Sequence, residues 1–198
     1  MGKNFYEAIK DRRSIYAISG ESTISDSRLT EVVQECVRHV PSAFNNQSAR
    51  AVVLLKENHK KLWSIVMETL RAIVPAESFS ATEERINAFA AGYGTILFFD
   101  ETKTTQALME QFAAYKDNFP IWAQQAGGMV QFAVWTALEL EGLGATLQHY
   151  NPLIDDAVRA EWNLPESWKL LAQMPFGKPV APAGEKEFLP IEERVRIL

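Results

Sequence analysis

Two short apolar runs, Ala51-Val52-Val53-Leu54-Leu55 and Thr95-Ile96-Leu97-Phe98-Phe99, constrain this chain more than anything else in it. Each is too brief for a stand-alone helix and is rich in strand-forming residues, so both read as buried strands. Helical periodicities surround them. Phe5, Ala8 and Ile9 predict a short first helix ending near Arg12. Leu29, Val32, Val33, Cys36, Val37 and Val40 predict a second, N-capped by Ser25 and stopped by Pro41. Leu62, Ile65, Val66, Leu70 and Ile73 make another face before Pro75, and Glu83 to Ala91 reads as a helix before the turn Gly92-Tyr93-Gly94. Strands set among helices in this way define an α+β, three-layer α/β/α domain.

The stretch from Ile121 to Glu141 is apolar over more than one stripe, which predicts a central helix buried on several sides. Gly127-Gly128 inside it costs about 1 kcal/mol per glycine, a cost that close approach by another helix or a cofactor offsets. Ala145 to His149 reads as a strand ending in polar groups, Asp155 to Trp162 as a helix and Trp168 to Gln173 as the last strand. Pro175-Phe176-Gly177-Lys178-Pro179 reads as a rigid loop. The tail after Ala181 is charged, yet Phe188, Leu189, Ile191, Val195 and Ile197 make it too hydrophobic to hang free, so it packs on this subunit or another. With no repeat or linker, residues 1–198 form one domain.

Composition narrows the function. A formal net charge of -5 and the lack of a basic stripe argue against nucleic acid as a partner. No window approaches the roughly 18–20 apolar residues that span a bilayer, and no signal-peptide pattern opens the chain, so the expectation is a cytoplasmic protein without a membrane partner. Cys36 is the sole cysteine and falls on the apolar face of the second helix, where a small buried hydrophobe is expected rather than a nucleophile. The three histidines lack a ligand spacing, so no metal site is expected; His39 and His59 are assigned to the surface and His149 to a loop.

Two polar constellations remain. Arg12-Arg13-Ser14 follows the first helix with two guanidinium forks that match phosphate oxygens and a hydroxyl that adds a hydrogen bond. A solvated basic pair at a helix end accounts for the same residues. The loop Pro41-Ser42-Ala43-Phe44-Asn45-Asn46-Gln47 offers, in Asn45 and Gln47, amides that donate and accept at once, as the edge of a flat heterocycle requires. A turn held by its own side chains is the competing reading. The nearby Phe112, Tyr115, Phe119 and Trp122 suit core or interface packing, or a wall over a bound ring.

Taken together these residues resemble the nitroreductase family of FMN-dependent NAD(P)H oxidoreductases. Arg12-Arg13-Ser14 is similar to its early phosphate element, and Pro41-Ser42 through Asn45 and Gln47 to its Pro-Ser-x-x-Asn-x-Gln loop. Gly142-Leu143-Gly144-Ala145 followed by Gln148-His149-Tyr150-Asn151-Pro152, then Phe176-Gly177-Lys178-Pro179, resembles the compact subgroup that includes the fungal fatty-acid-repression nitroreductases. One departure is Ser48-Ala49, where many members carry Pro-Trp.

The resemblance implies a central mixed, mainly antiparallel sheet flanked by helices. It implies FMN held by Arg12, Arg13, Ser14, Ser42, Asn45, Gln47, Gln148, His149 and Lys186, with no side-chain nucleophile and no catalytic residue beyond the cofactor. NADH or NADPH then delivers electrons by a ping-pong route to nitroaromatics, quinones or similar acceptors. The resemblance also implies a homodimer with two FMN sites lined by both chains. The alternative is a flavin-binding stress-response or lipid-signalling regulator with incidental reductase activity.

Overall fold

The computed structural model describes residues 3–198. Its core is a five-stranded sheet built from β1 (Ile18–Ser19), β2 (Ala49–Leu55), β3 (Gly94–Glu101), β4 (Gly144–Ala145) and β5 (Trp168–Pro179), in the order β1-β5-β3-β2 with β4 also paired to β5. All these strand pairs are antiparallel; the parallel element is a single bridge between Ser14 and Ala145. The α+β class and the flanked, mainly antiparallel sheet are as expected.

Seven helices cover the sheet: α1 (Phe5–Asp11), α2 (Asp26–His39), α3 (Glu57–Arg71), α4 (Phe79–Ala90), α5 (Thr102–Gln111), α6 (Phe119–Leu140) and α7 (Asp155–Glu161). The period-two alternation of β3 divides them into two layers. Ile96 and Phe98 face a core with Leu29 and Val33 of α2 and Val130, Val134 and Leu138 of α6. Leu97 and Phe99 face Leu62, Trp63 and Val66 of α3, Ile86 and Phe89 of α4, and Val158 of α7. The strand is therefore apolar throughout because both its faces are covered.

The α2 start is as expected, with Ser25 Oγ accepting from Arg28 N at 3.2 Å. Other expectations need correction. Residues 175–179 are not a loop but the second half of β5, where Pro175 lies opposite Thr95 and its carbonyl accepts from Thr146 N at 3.2 Å. The missing proline N–H costs one ladder bond, and the partners on both sides carry the rest. The strand expected over 145–149 shrinks to Gly144–Ala145 plus a bridge between Gln148 and Gln173. Helix α4 begins at Phe79 rather than Glu83, and α5 had no counterpart in the sequence reading.

His59 is the clearest reversal, for it is buried rather than exposed. Trp63 Nε1–H donates to Thr95 Oγ1 at 3.0 Å, which leaves the Thr95 hydroxyl proton for His59 Nδ1 at 2.9 Å. His59 Nε2 lies 3.1 Å from the Ala90 carbonyl, an acceptor only, so the neutral Nε2–H tautomer satisfies every partner. Burial pushes the His59 pKa down, with the Ala90 bond raising it and Lys60 lowering it further. Helix α6 is likewise not covered on all sides: Ala123, Ala126, Gly127, Val130 and Val134 are buried, whereas Ile121, Met129, Phe132 and Leu140 stay exposed.

Candidate cofactor site

The Arg12 side of the site is assembled by pairing to the sheet. Asn4 caps α1 through Tyr6 N and Glu7 N, and the Glu7 carboxylate accepts from Asn4 N at 2.8 Å, a reciprocal box that fixes where the helix starts. The helix ends at Arg12, whose backbone is extended (φ -60°, ψ 113°). From there the chain runs beside β4, and Ile15 N donates to Ala145 O at 3.0 Å. Gly144 permits this approach, since a Cβ there would lie 2.8 Å from Ile15 Cγ2 and 3.0 Å from Pro179 Cγ. Gly142, with φ +79°, turns the chain out of α6 into β4.

Arg12, Arg13, Ser14 and Tyr16 then line a cavity of about 370 Å³ with Gly184, Glu185 and Lys186 of the tail. The guanidinium of Arg12 lies 4.5 Å over the Trp135 ring, and its Nε is buried without a hydrogen-bond partner. Burial, then the neighbouring Arg13 charge, lowers the Arg12 pKa. Both causes favour an anion in the cavity. Arg13 has a second job, donating from Nη2 to Gly184 O at 2.8 Å and so pinning the tail across the cavity. Lys186 Nζ sits 5.0 Å over the Phe188 ring at the same rim. The structure thus brings Arg12, Arg13, Ser14 and Lys186 together.

Gln148 joins this side through β4 and β5. Its N–H donates to Gln173 O at 2.7 Å, Gln173 N–H returns a bond to Gln148 O at 2.9 Å, and Gln148 Nε2 donates to Thr146 Oγ1 at 2.8 Å. His149 is exposed beside it. A residue absent from the sequence reading holds this turn: Gln173, fully buried, accepts from Tyr150 N at 2.7 Å through Oε1 and donates to Asn151 Oδ1 at 3.3 Å. A glutamine in the apolar run 168–174 was the available signal, because a buried amide in a strand must have partners.

The Pro41 loop is built differently. Phe44, Asn45 and Gln47 have φ of +56°, +51° and +48°, left-handed values that non-glycine residues rarely adopt. Local bonds hold them. Ser42 Oγ accepts from Gln47 N at 3.0 Å, Asn46 Oδ1 accepts from Ser48 N at 3.1 Å, and Arg50 Nη1 donates to Gln47 O at 2.6 Å. The Phe44 ring packs on Phe112 at 4.9 Å, Phe119 at 5.3 Å and Trp122 at 6.1 Å. The side chains of Asn45 and Gln47 therefore point out to solvent, and Ser42 and Gln47 line a separate groove of about 470 Å³ between α2, β2 and α6.

Helix α6 measures the separation. The loop packs at Trp122 and Arg12 at Trp135, thirteen residues apart, or about 20 Å along the helix. One chain does not bring Ser42, Asn45 and Gln47 to the cavity of Arg12.

A model of the nitroreductase family matches residues 9–178. The chain is 40% identical over 189 residues to HBN1 of Saccharomyces cerevisiae, covering 93% of both chains. It superimposes on the nitroreductase CinD of Lactococcus lactis, solved with chloramphenicol, nicotinic acid or 4-nitrophenol. With nicotinic acid the TM-score is 0.92 at 45% identity, over 98% of this chain and 100% of the other. A protein of Desulfovibrio desulfuricans in complex with FMN shares the fold, with a TM-score of 0.70 at 20% identity over 98% of this chain and 96% of the other. The fold and site define an α+β protein of the kind that handles flavin. The chain belongs to the nitroreductase family, and membership implies an oxidoreductase. Among the described residues no helix is long and apolar enough to cross a membrane.

Proposed function

We propose that the chain is an FMN-dependent NAD(P)H oxidoreductase that passes electrons in two separate half-reactions to nitroaromatics, quinones or similar acceptors. The observation that carries this reading is the Arg12 cavity, whose buried, unpartnered Nε and convergent Arg13, Ser14 and Lys186 fit a phosphate. Bound there, FMN supplies the hydride and electron chemistry. Arg12 fixes the phosphate with its plane held by Trp135, and Arg13 holds the tail over it. Gln148 and His149 form the rim, and Gln173 keeps that rim rigid. Asn45 and Gln47 read the ring edge.

This assignment requires a second copy. Trp122 and Trp135 flank Gly128, whose Cβ position meets nothing within 4 Å and which lies amid the exposed Met129 and Phe132. A two-fold axis near Gly128 reverses α6 and carries the Pro41 loop of one chain toward the Arg12 cavity of the other. The exposed Phe188, Leu189, Ile191 and Val195 of the tail and the outer edge of β2 are further surface for such a homodimer. We place the protein in the cytoplasm.

Steady-state oxidation of NADH and NADPH by FMN-loaded protein, with menadione and a nitroaromatic as acceptors, tests the reading. Turnover with either nucleotide is expected. Negligible turnover by loaded protein contradicts the enzyme, and a colourless preparation that fails to take up FMN contradicts the cofactor as well.

A further inference from the structure

We propose that a slot beneath α5 binds a small organic ammonium ion, with Asp100 as its counter-ion. The slot encloses about 290 Å³ between α5, the first turns of α6 and the ends of β3 and β5. Asp100 is the one acidic side chain lining it; Thr105, Gln106 and Gln124 add polar groups, and Met109 and Leu171 an apolar wall. None of these residues lines the Arg12 cavity or the groove beside Ser42 and Gln47.

Unmet bonding carries the inference. Asp100 is 8% exposed and Thr105 5%, and Asp100 Oδ1 and Thr105 Oγ1 are both buried without a hydrogen-bond partner. A buried carboxylate without a counter-ion is costly, so its retention calls for one. The cations nearby do not serve. Lys169 lies directly across the β3–β5 ladder, but its side chain is exposed and makes no ion pair with Asp100 among those of the described residues. Arg50 is engaged with the carbonyls of Gln47 and Ala49 and lies 5.9 Å over the Trp168 ring. Burial raises the Asp100 pKa; Ser48, Lys169 and Arg50 offset part of the rise, and Glu101 adds to it.

An ammonium group matches this inventory. Its charge meets Asp100, and its remaining protons meet the Thr105 hydroxyl and the carboxamide oxygens of Gln106 and Gln124. A short apolar body lies on Met109 and Leu171. Water alone would satisfy the oxygens and leave that wall unused.

Calorimetric titration of the full chain with benzylammonium, benzyl alcohol and benzoate tests the proposal. Benzylammonium is expected to bind at least about 10-fold more tightly than benzyl alcohol, with benzoate weakest. Asp100→Asn is expected to erase that preference and to raise the unfolding temperature, since it removes an uncompensated buried charge. Met109→Trp, which fills the slot and leaves Asp100 in place, is expected to abolish binding and serves if Asp100→Asn does not fold. Equal affinity for the amine and the alcohol, no heat at millimolar concentrations, or binding that persists in either variant overturns it.

Discussion

The Arg12 cavity and the Pro41 loop are both rich in polar side chains, yet the protein holds them in opposite ways. Arg12 to Ile15 lie against β4, and the sheet beneath fixes their path through Ile15 N, Gly144 and the Trp135 ring. The loop instead carries three left-handed, non-glycine residues clamped by Ser42, Asn46 and Arg50. Such strain costs of order 1–3 kcal/mol per residue and persists only where the surroundings dictate it. The contrast teaches that the cavity is a feature of one chain's fold, whereas the loop is a device aimed outward, at something the single chain does not contain.

The largest expected effect probes the cavity. Arg12→Ala removes a charge-assisted phosphate contact worth about 1.5–3 kcal/mol, so FMN affinity falls by roughly 10- to 100-fold. The apo-protein's unfolding temperature should hardly change, because Arg12 Nε bonds to no protein group. Fluorescence titration with FMN and a thermal melt of the apo-protein check both halves, and a large drop in stability would make Arg12 a structural residue.

A smaller effect separates the sheet from the loop by pH. His59 binds Thr95, which lies opposite Pro175 in the sheet, and its folded pKa is lowered below the ordinary value near 6.5. The unfolded chain therefore takes up a proton first as pH falls. Stability is full above about pH 6.5 and declines by up to about 1.4 kcal/mol per pH unit until the folded pKa is passed. Urea midpoints between pH 7.5 and 5 measure the slope, which His59→Gln should flatten. The loop contains no group of this kind.

The smallest effect concerns the strain itself. Asn45→Gly relieves a left-handed backbone and should stabilise the apo-protein by about 0.5–1 kcal/mol in chemical denaturation while weakening FMN binding. An unchanged FMN affinity would reduce Asn45 to a turn residue.

Much of this architecture is visible in the residues. The runs at 51–55 and 95–99 lack a polar face because helices lie on both sides, and Ser25 caps α2 as its position before Asp26 predicts. Helix α5 escaped because Thr102 to Gln111 is mostly polar, with only Ala107, Leu108 and Met109 to mark a face. Pro175 masked the second half of β5, since proline usually marks a strand's end. His59 was legible after all: with Leu62, Trp63 and Val66 it falls at i, i+3, i+4 and i+7, one buried stripe of α3. For the site, motif order brought out Arg12, Arg13, Ser14, Gln148 and Lys186, but no local pattern states that Asn45 and Gln47 lie about 20 Å along α6 from them. That separation is a property of the tertiary fold.

A subunit-mixing titration tests the two-chain site most directly. Arg12→Ala protein and protein carrying Asn45→Ala with Gln47→Ala are each prepared as apo-protein, mixed in equal amounts, allowed to exchange subunits and titrated with FMN. If each site takes Arg12 from one chain and the loop from the other, the mixture regains wild-type affinity at about one quarter of its sites, because half the dimers are mixed and each contains one intact site. A mixture that binds only as the average of the two weak variants would place both halves in one chain and contradict the account.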